Sequence, residues 1–281
     1  MLYWILSALL WATWDILYKK SIWLADWKIS DKYYQFIWNF FMTIFLPVIY
    51  VFFEWESFNL YIFILIFLSA ILSIIWELFE QYWYRNEKIS VLVPFWEFQS
   101  IFTIILWFFV FSDNSTISLV FALLAWFTLV VWWLDFKKFR FNKYCLAVTT
   151  GALLWSIKYI IYWLLLVHIS EYSILYYNIV VSFFILLIII LLTKELKQYK
   201  KIDKQLTKYI LLENFTRLLV SFITLFLIKE LWLVQAVLIW MLYLIASLIF
   251  SYLFLKNIPS KKELLIVFFV FLFVTLWSIF W

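Results

Sequence analysis

Long apolar runs separated by short polar stretches dominate the order of hydrophobic and polar positions along the chain. We identify ten such runs, at residues 2–18, 33–53, 58–79, 89–111, 115–134, 145–167, 171–192, 209–228, 231–255 and 264–281. About 20 apolar residues let a helix cross a bilayer, and these runs are too long and too uniformly apolar for the strands of a membrane barrel. The pattern predicts an all-α polytopic membrane protein with ten transmembrane helices.

The composition agrees with this prediction and excludes several kinds of site. The chain has 281 residues, of which 68% are hydrophobic and 14% charged, with one cysteine and one histidine. A single cysteine excludes an internal disulfide and a cysteine-based metal cluster. The sequence also lacks the motifs of zinc proteases, serine hydrolases and phosphate-binding glycine loops. We therefore expect no enzymatic activity, no cofactor, no metal and no nucleic-acid partner.

The basic residues are unevenly divided among the loops between the runs. The five odd-numbered loops hold 19 Lys and Arg residues, whereas the even-numbered loops hold Lys229 alone. Basic residues favour cytoplasmic loops of membrane proteins. We therefore expect a multi-pass protein of the cell's inner (plasma) membrane, with the odd loops in the cytoplasm and both termini outside. Whether it is a monomer or a homodimer stays open.

The two halves of the chain resemble one another. Ala-Leu-Leu-Trp at 8–11 recurs at 152–155, an offset of 144 residues, and each half holds five runs. Because five is odd, the second half enters the membrane in the opposite sense, as in transporters built from inverted repeats. We expect a first five-helix repeat, a cytoplasmic linker and a second five-helix repeat over 1–134, 135–144 and 145–281.

Three short patterns resemble the drug/metabolite transporter superfamily, specifically its EamA-like members with ten helices. These are the repeated Ala-Leu-Leu-Trp, the stretch 82–94 between the third and fourth runs, and the ends of the fourth and ninth runs at 111–113 and 254–256. The resemblance implies a secondary transporter, expected to be an exporter, that moves small metabolites by alternating access around a midplane site. It also implies cytoplasmic termini, whereas the basic loops predict the reverse.

The alternative interpretation is a membrane-embedded lipid-handling protein or enzyme. Such a protein would cluster its polar residues at one membrane interface, beside a groove that opens towards lipid. In this chain the polar residues of the runs are instead scattered through both halves. We therefore expect the bilayer and a small-molecule substrate as partners, with the substrate bound near the midplane.

The chain has 20 tryptophans and one glycine. Average glycine usage would give roughly 20 glycines, and small residues usually form the contacts between membrane helices. Trp55 lies in a short polar connection, and Trp107 and Trp126 lie well inside runs rather than in belts at their ends. We interpret most tryptophans as glycines, as would follow if UGA codons that specify glycine were translated as tryptophan. We expect Trp11 and Trp155 to be genuine.

Polar residues inside the runs are the candidates for binding a substrate or an ion, because charge is costly in a bilayer. Lys158, deep in the sixth run, could bind a carboxylate or phosphate, or pair with Glu97 or Glu77. Glu97 or Asp15 would carry a proton if transport is coupled to protons. The candidates are Lys158, Glu97, Asp15, Gln99, Glu77, Asn178 and Gln235.

Other charged residues have a structural interpretation. Asp15 and Lys19 are spaced by one helical turn, as are Glu213 and Arg217, which favours an ion pair within each helix. Glu80, at the end of the third run, is expected at the membrane interface, in contact with water.

Overall fold

The computed structural model describes residues 2–26, 28–52, 59–86, 89–111, 120, 123–124, 127, 143–240, 242–256, 258–261, 264–265, 267–269, 272–273 and 276. Side chains are described for these residues except 2–5, 89–97, 100, 111, 143–145, 231–240, 242 and 244. The linker at 135–144, nearly all of the fifth run and most of the tenth run lie outside the described residues.

Helices make up the regular structure of the described residues, which contain no strand. They are α1 (Leu2–Ala25), α2 (Asp31–Thr43), α3 (Leu46–Val51), α4 (Leu60–Asn86), α5 (Ile89–Phe111), α6 (Lys143–Leu166), α7 (Glu171–Thr193), a 3-10 helix (Glu195–Lys201), α8 (Lys204–Trp240) and α9 (Leu242–Leu255). Four stretches of this part of the chain are long and apolar enough to cross a membrane: 60–86, 146–166, 171–193 and 204–230. The predictions of an all-α fold and of membrane-spanning helices are confirmed.

Local sequence sets the ends of several helices. The Ser30 hydroxyl accepts from the N–H of Tyr33 over 3.2 Å at the start of α2, and the Ser170 hydroxyl accepts from the N–H of Ser173 over 3.3 Å at the start of α7. Such bonds use N–H groups that have no partner within the helix. Lys194 ends α7 in the left-handed conformation, with a φ of 57°.

Two predicted runs are divided differently in the structure. The second run is broken: α2 ends at Thr43 and α3 begins at Leu46, with Pro47 in its first turn. Proline lacks the N–H that would continue the preceding helix. The predicted boundary at Lys229 and Glu230 is wrong, because α8 continues through both residues to Trp240. Charge can mark the edge of an apolar run without ending the helix.

The helices pack so that the two halves of the chain are interleaved. α1 packs along α8 and α9, α6 packs along α4 and α5, and α2 packs against α7. The outer faces stay apolar: Phe184, Ile188 and Leu192 of α7 are 56%, 57% and 77% exposed. A continuous apolar exterior of this kind suits a lipid environment rather than water.

The first, third and seventh loops meet at one end of the molecule, which we call the lysine-rich end. Lys28 pairs with Asp203 at 2.7 Å, and Arg85 pairs with Asp31 at 2.6 Å and with Asp26 at 3.6 Å. The Lys28–Asp203 pair is well exposed, and water and salt weaken such a pair. These ion pairs show which loops are neighbours.

The second and sixth loops meet the Lys229 segment of α8 at the opposite end. Lys229 pairs with Glu171 at 2.8 Å. The rings of Tyr61 and His168 lie 5.8 Å apart in an edge-on contact. In the described residues the loops therefore alternate between the two ends.

Candidate functional site

A central cavity lies between α1, α2, α4, α6, α7 and α8. Its volume is about 70 Å³, which is room for a few water molecules. Tryptophan and tyrosine rings form part of its wall. Its polar wall includes Asn39, Ser73, Glu77, Lys158, Asn178 and Arg217. Three of the residues predicted from sequence, Lys158, Glu77 and Asn178, are thus brought together.

Arg217 brings a buried guanidinium to this cavity. Its central carbon lies 4.5 Å from the ring centre of Trp14, 5.2 Å from Trp155 and 5.7 Å from Trp11. No carboxylate of the described residues lies within ion-pair distance of it, so the predicted Glu213–Arg217 pair is wrong. Aromatic faces attract a cation by up to about 2 kcal/mol when water is excluded. They leave its N–H groups available to an anion.

Lys158 brings a second buried cation. Its Nζ lies 4.1 Å from the ring centre of Trp155 and 4.9 Å from that of Tyr162. The predicted pair with Glu77 is not formed, and no other carboxylate of the described residues pairs with Lys158. Burying a charge without a partner costs several kcal/mol. The cavity therefore holds two cations that form no ion pair with a carboxylate of the described residues, although Glu77 lines the same cavity.

Asp15 is fully buried beside this site, where three hydroxyl groups bind it. Tyr84 donates over 2.5 Å, Ser247 donates over 2.9 Å, and Tyr243 donates as well. The predicted pair with Lys19 is not formed, since the Lys19 ammonium donates to the backbone carbonyl of Tyr84. Hydrogen bonds to a charged group contribute about 1.5–3 kcal/mol each. Asp15 therefore needs no cation.

Glu213 is bound in the same way. It accepts from Ser21 over 2.6 Å, from Tyr34 over 2.9 Å and from Nε1 of Trp38 over 2.5 Å. Ser21 is 192 positions away along the chain. No spacing in the sequence indicates such partners, which explains why the intrahelical ion pair was predicted instead.

Glu77 and Glu80 lie one turn apart on α4. Glu77 faces the central cavity and has a long contact of 3.5 Å from Nε2 of Gln35. Glu80 is fully buried, and neither of its oxygens accepts a hydrogen bond from the described residues. The predicted interfacial position of Glu80 is wrong, because α4 continues to Asn86 and places Glu80 inside the helix assembly.

A smaller cavity of about 10 Å³ adjoins these two carboxylates. Glu77, Glu80 and Arg217 are among the residues that line it. Arg217 therefore borders both the central cavity and the cavity at Glu80.

The remaining predicted residues divide into two groups. Asn178 donates to Ser69 over 2.5 Å. Gln99 is buried on α5 and is not a lining residue, but its side chain hydrogen-bonds Tyr159, which lines the cavity; its backbone carbonyl accepts from the Ser156 hydroxyl over 2.7 Å. The predictions for Glu97 and Gln235 concern side chains outside the described part of the structure.

Residues separated by 144 positions meet in the central cavity. Four such pairs line it: Trp11 with Trp155, Trp38 with Ser182, Ser73 with Arg217, and Glu77 with Ser221. The same offset relates two buried hydrogen bonds, Tyr34 to Glu213 and Asn178 to Ser69. Each charged residue in these pairs corresponds to a serine in the other half, so the cavity wall is similar in shape but not in charge.

Metal ligands are not grouped in the described part of the chain, where no cluster of three or more His, Cys, Asp or Glu side chains could hold an ion. The chain matches no protein-family model and none of the curated proteins. The function proposed below is therefore argued from the residues of the central cavity.

Proposed function

We propose that this protein is a secondary transporter that moves small metabolites across the membrane by alternating access around the central cavity. One observation carries the proposal: two buried cations that form no ion pair with a carboxylate of the described residues face a polar cavity halfway along apolar helices. Lys158 lies near the middle of the apolar stretch 146–166, and Arg217 near the middle of 204–230. Charge at that depth is costly and is typical of substrate or ion sites.

We propose ten helices in two inverted repeats of five, and the packing of the described helices supports the repeat. At an offset of 144 residues, α1 corresponds to α6, α4 to the first part of α8, and α5 to α9. A two-fold relation between the halves would therefore exchange the contacts that these helices make with one another. The packing of α1 on α8 and α9 corresponds to that of α6 on α4 and α5. The contacts of α2 with α7 and of α5 with α9 map onto themselves. The cavity pairs at an offset of 144 residues obey the same relation.

The distribution of loops supports the proposed orientation. The basic first, third and seventh loops share one end, and we propose that this end is cytoplasmic, with both termini outside. A reporter enzyme that is active only in the cytoplasm, fused after Trp281, should be inactive. An active reporter would reverse the orientation and agree with the EamA-like arrangement.

The proposal also includes the EamA-like resemblance and the interpretation of most tryptophans as glycines. The ring centres of Trp76 and Trp83 lie 5.2 Å apart, and those of Trp107 and Trp163 lie 5.0 Å apart. Both pairs pack between helices, where small residues are usual in membrane proteins. Trp14 and Trp38 belong to this set, so glycine there would leave Arg217 beside Trp11 and Trp155 and Glu213 with the hydroxyls of Ser21 and Tyr34.

Transport by purified protein in liposomes tests the function. Radiolabelled small carboxylates and phosphate esters are loaded, and efflux and uptake are followed with and without a pH gradient; export is the direction that the resemblance implies. Lys158→Gln should abolish or strongly reduce transport, whereas Lys229→Gln, an exposed cation at the opposite end from the lysine-rich loops, should not. Equal rates for the wild type and Lys158→Gln would contradict the proposal.

A second candidate function, lipid handling, rests on a groove of about 410 Å³ near the lysine-rich end. Lys20, Trp23, Gln205 and Tyr209 are among its lining residues, and Trp23 is 74% exposed. Cations and aromatic rings at a membrane edge suit a lipid head group. Transfer or scrambling of a fluorescent anionic lipid that Lys20→Gln reduces and Lys158→Gln does not would favour this function over solute transport.

A further inference from the structure

Glu80 differs from the other fully buried carboxylates of the described residues. Asp15 and Glu213 each accept three hydrogen bonds, whereas Glu80 accepts none on either oxygen. A desolvated carboxylate without donors is far less stable than the neutral acid. The geometry around Glu80 thus suits a protonated carboxyl group.

The balance of buried charge leads to the same conclusion. The described residues contain four buried carboxylates, of Asp15, Glu77, Glu80 and Glu213, and two buried cations, of Lys158 and Arg217. Ionising all six groups would leave two negative charges in excess. Hydroxyl donors lower the cost of ionising Asp15 and Glu213, whereas Glu80 has no donor among the described residues, so Glu80 is the group best suited to hold a proton.

Several titratable groups surround Glu80. Two cations and several carboxyl and phenol groups are among them. From the elements packed around it, these groups are Asp15 and Tyr18 of α1, Tyr34 of α2, Glu77 and Tyr84 of α4, Lys158 of α6, Glu213 and Arg217 of α8, and Tyr243 of α9.

Arg217 connects Glu80 to the central cavity, because it borders both cavities. Its guanidinium can pair with an anion in the central cavity or, after a side-chain movement, with the Glu80 carboxylate. One guanidinium cannot neutralise both anions. In this structure the Arg217 guanidinium lies over aromatic rings and forms no ion pair with Glu77 or Glu80.

We propose that Glu80 is the proton-binding residue of this transporter and that Arg217 couples its protonation to the binding of an anionic substrate. The proposal rests on the proposed function and names its substrate class and coupling ion. With the anion bound to Arg217, Glu80 keeps its proton. When the anion leaves, Glu80 releases the proton to water and pairs with Arg217. An anion and a proton therefore bind together and move in the same direction, and Glu80 takes the part predicted for Asp15 or Glu97.

Binding experiments on the full chain in lipid nanodiscs test this coupling without requiring transport. Acetate and sulfate serve as probe anions, because neither takes up protons near neutral pH. The wild type should take up about one proton per bound anion, measured with an indicator dye in weak buffer. Its apparent Kd for acetate should fall up to about tenfold per pH unit of acidification within the range where Glu80 titrates. Glu80→Gln should bind acetate without proton uptake and without this pH dependence.

A matched control variant, Asp203→Asn, and an infrared measurement on the wild type accompany these binding experiments. Asp203→Asn removes an exposed carboxylate at the lysine-rich end and should leave the proton uptake unchanged. The infrared carbonyl band of a buried protonated carboxyl should grow when acetate is added to the wild type. This measurement does not depend on the folding of any variant. Anion binding without proton uptake in the wild type, equal uptake in Glu80→Gln, or no saturable binding of either anion would each overturn the proposal. Transport without proton uptake would overturn the coupling and leave the proposed function standing.

Discussion

Glu213 and Arg217 lie one helical turn apart on α8, and their charged groups have different partners. The Glu213 carboxylate accepts three hydrogen bonds from α1 and α2, whereas the Arg217 guanidinium lies among the rings of Trp14, Trp155 and Trp11. Because neutral donors bind Glu213, Arg217 forms no ion pair with it, and the Arg217 guanidinium faces the central cavity. This division of partners is the basis of the proposed anion site.

The donors around Glu213 should contribute to stability. Tyr34→Phe removes one of its three hydrogen bonds and should lower the free energy of unfolding by about 1–3 kcal/mol, because a buried charge loses a donor. Thermal or denaturant unfolding in detergent measures the change. Tyr199→Phe, at an exposed tyrosine, should stay within about 0.5 kcal/mol of the wild type. A loss in Tyr34→Phe no larger than in this control would contradict the prediction.

Arg217 should be required for its geometry as well as for its charge. Arg217→Lys keeps the charge but loses the planar fork that binds a carboxylate through two parallel hydrogen bonds. The apparent Kd for acetate should rise by about tenfold to a hundredfold. Arg85→Lys at the lysine-rich end is the matched control and should bind acetate like the wild type. Unchanged affinity in Arg217→Lys would mean that Arg217 acts as a simple point charge.

Gly151 tests the packing of α4 on α6. A Cβ at this position would lie 2.6 Å from Trp76 and 2.7 Å from Trp83, closer than side chains pack. In a chain that carries both tryptophans, Gly151→Ala should cost about 1–3 kcal/mol through overpacking. In a chain with glycine at positions 76 and 83 the same substitution should be tolerated. Unfolding of the two backgrounds compares them directly, and equal costs would argue against this packing.

The natural protein should contain glycine at most of the positions written here as tryptophan. Peptide mass spectrometry of the protein isolated from its own cells should find glycine at positions 76, 83 and 107. It should find tryptophan at positions 11 and 155. Tryptophan at all five would show that the helix contacts do contain indole rings, and would remove this part of the proposal.

The Lys28–Asp203 contact should give the lysine-rich end a pH dependence. The N–H of Leu206 and the Lys28 ammonium donate to Asp203 and lower the pKa of its carboxyl in the folded state. Such a group stabilises the fold above its unfolded pKa of about 3.9, and this contribution disappears as the pH falls through the lower folded pKa.

The unfolding midpoint of Asp203→Asn should therefore lie below that of the wild type at neutral pH, and the difference should shrink below about pH 4. Lys28→Gln should have a smaller effect, because the Leu206 N–H remains. A difference that grows on acidification would have the wrong sign for a lowered pKa.

Much of the architecture follows from short-range patterns. The runs that became α4, α5, α6 and α7 were predicted to within about eight residues of their observed ends, because a bilayer demands length and apolarity of each helix separately. The continuation of α8 across Lys229 could not be predicted in this way. Charge places a residue near water, and a helix can extend into water without ending.

The sequence by itself determined the helical membrane class, the unequal charge of the loops, the 144-residue offset between similar segments and the choice of Lys158, Glu77 and Asn178 as candidates. Each of these is a property of single residues or of their spacing. Tertiary structure alone decided which buried charge meets which partner: Asp15 and Glu213 with neutral donors, Arg217 with aromatic rings, and Glu80 with none. The reason is that a charge in a dry interior is stabilised by whatever donors the packing of distant helices brings within about 3 Å, and spacing along the chain carries no information about those helices.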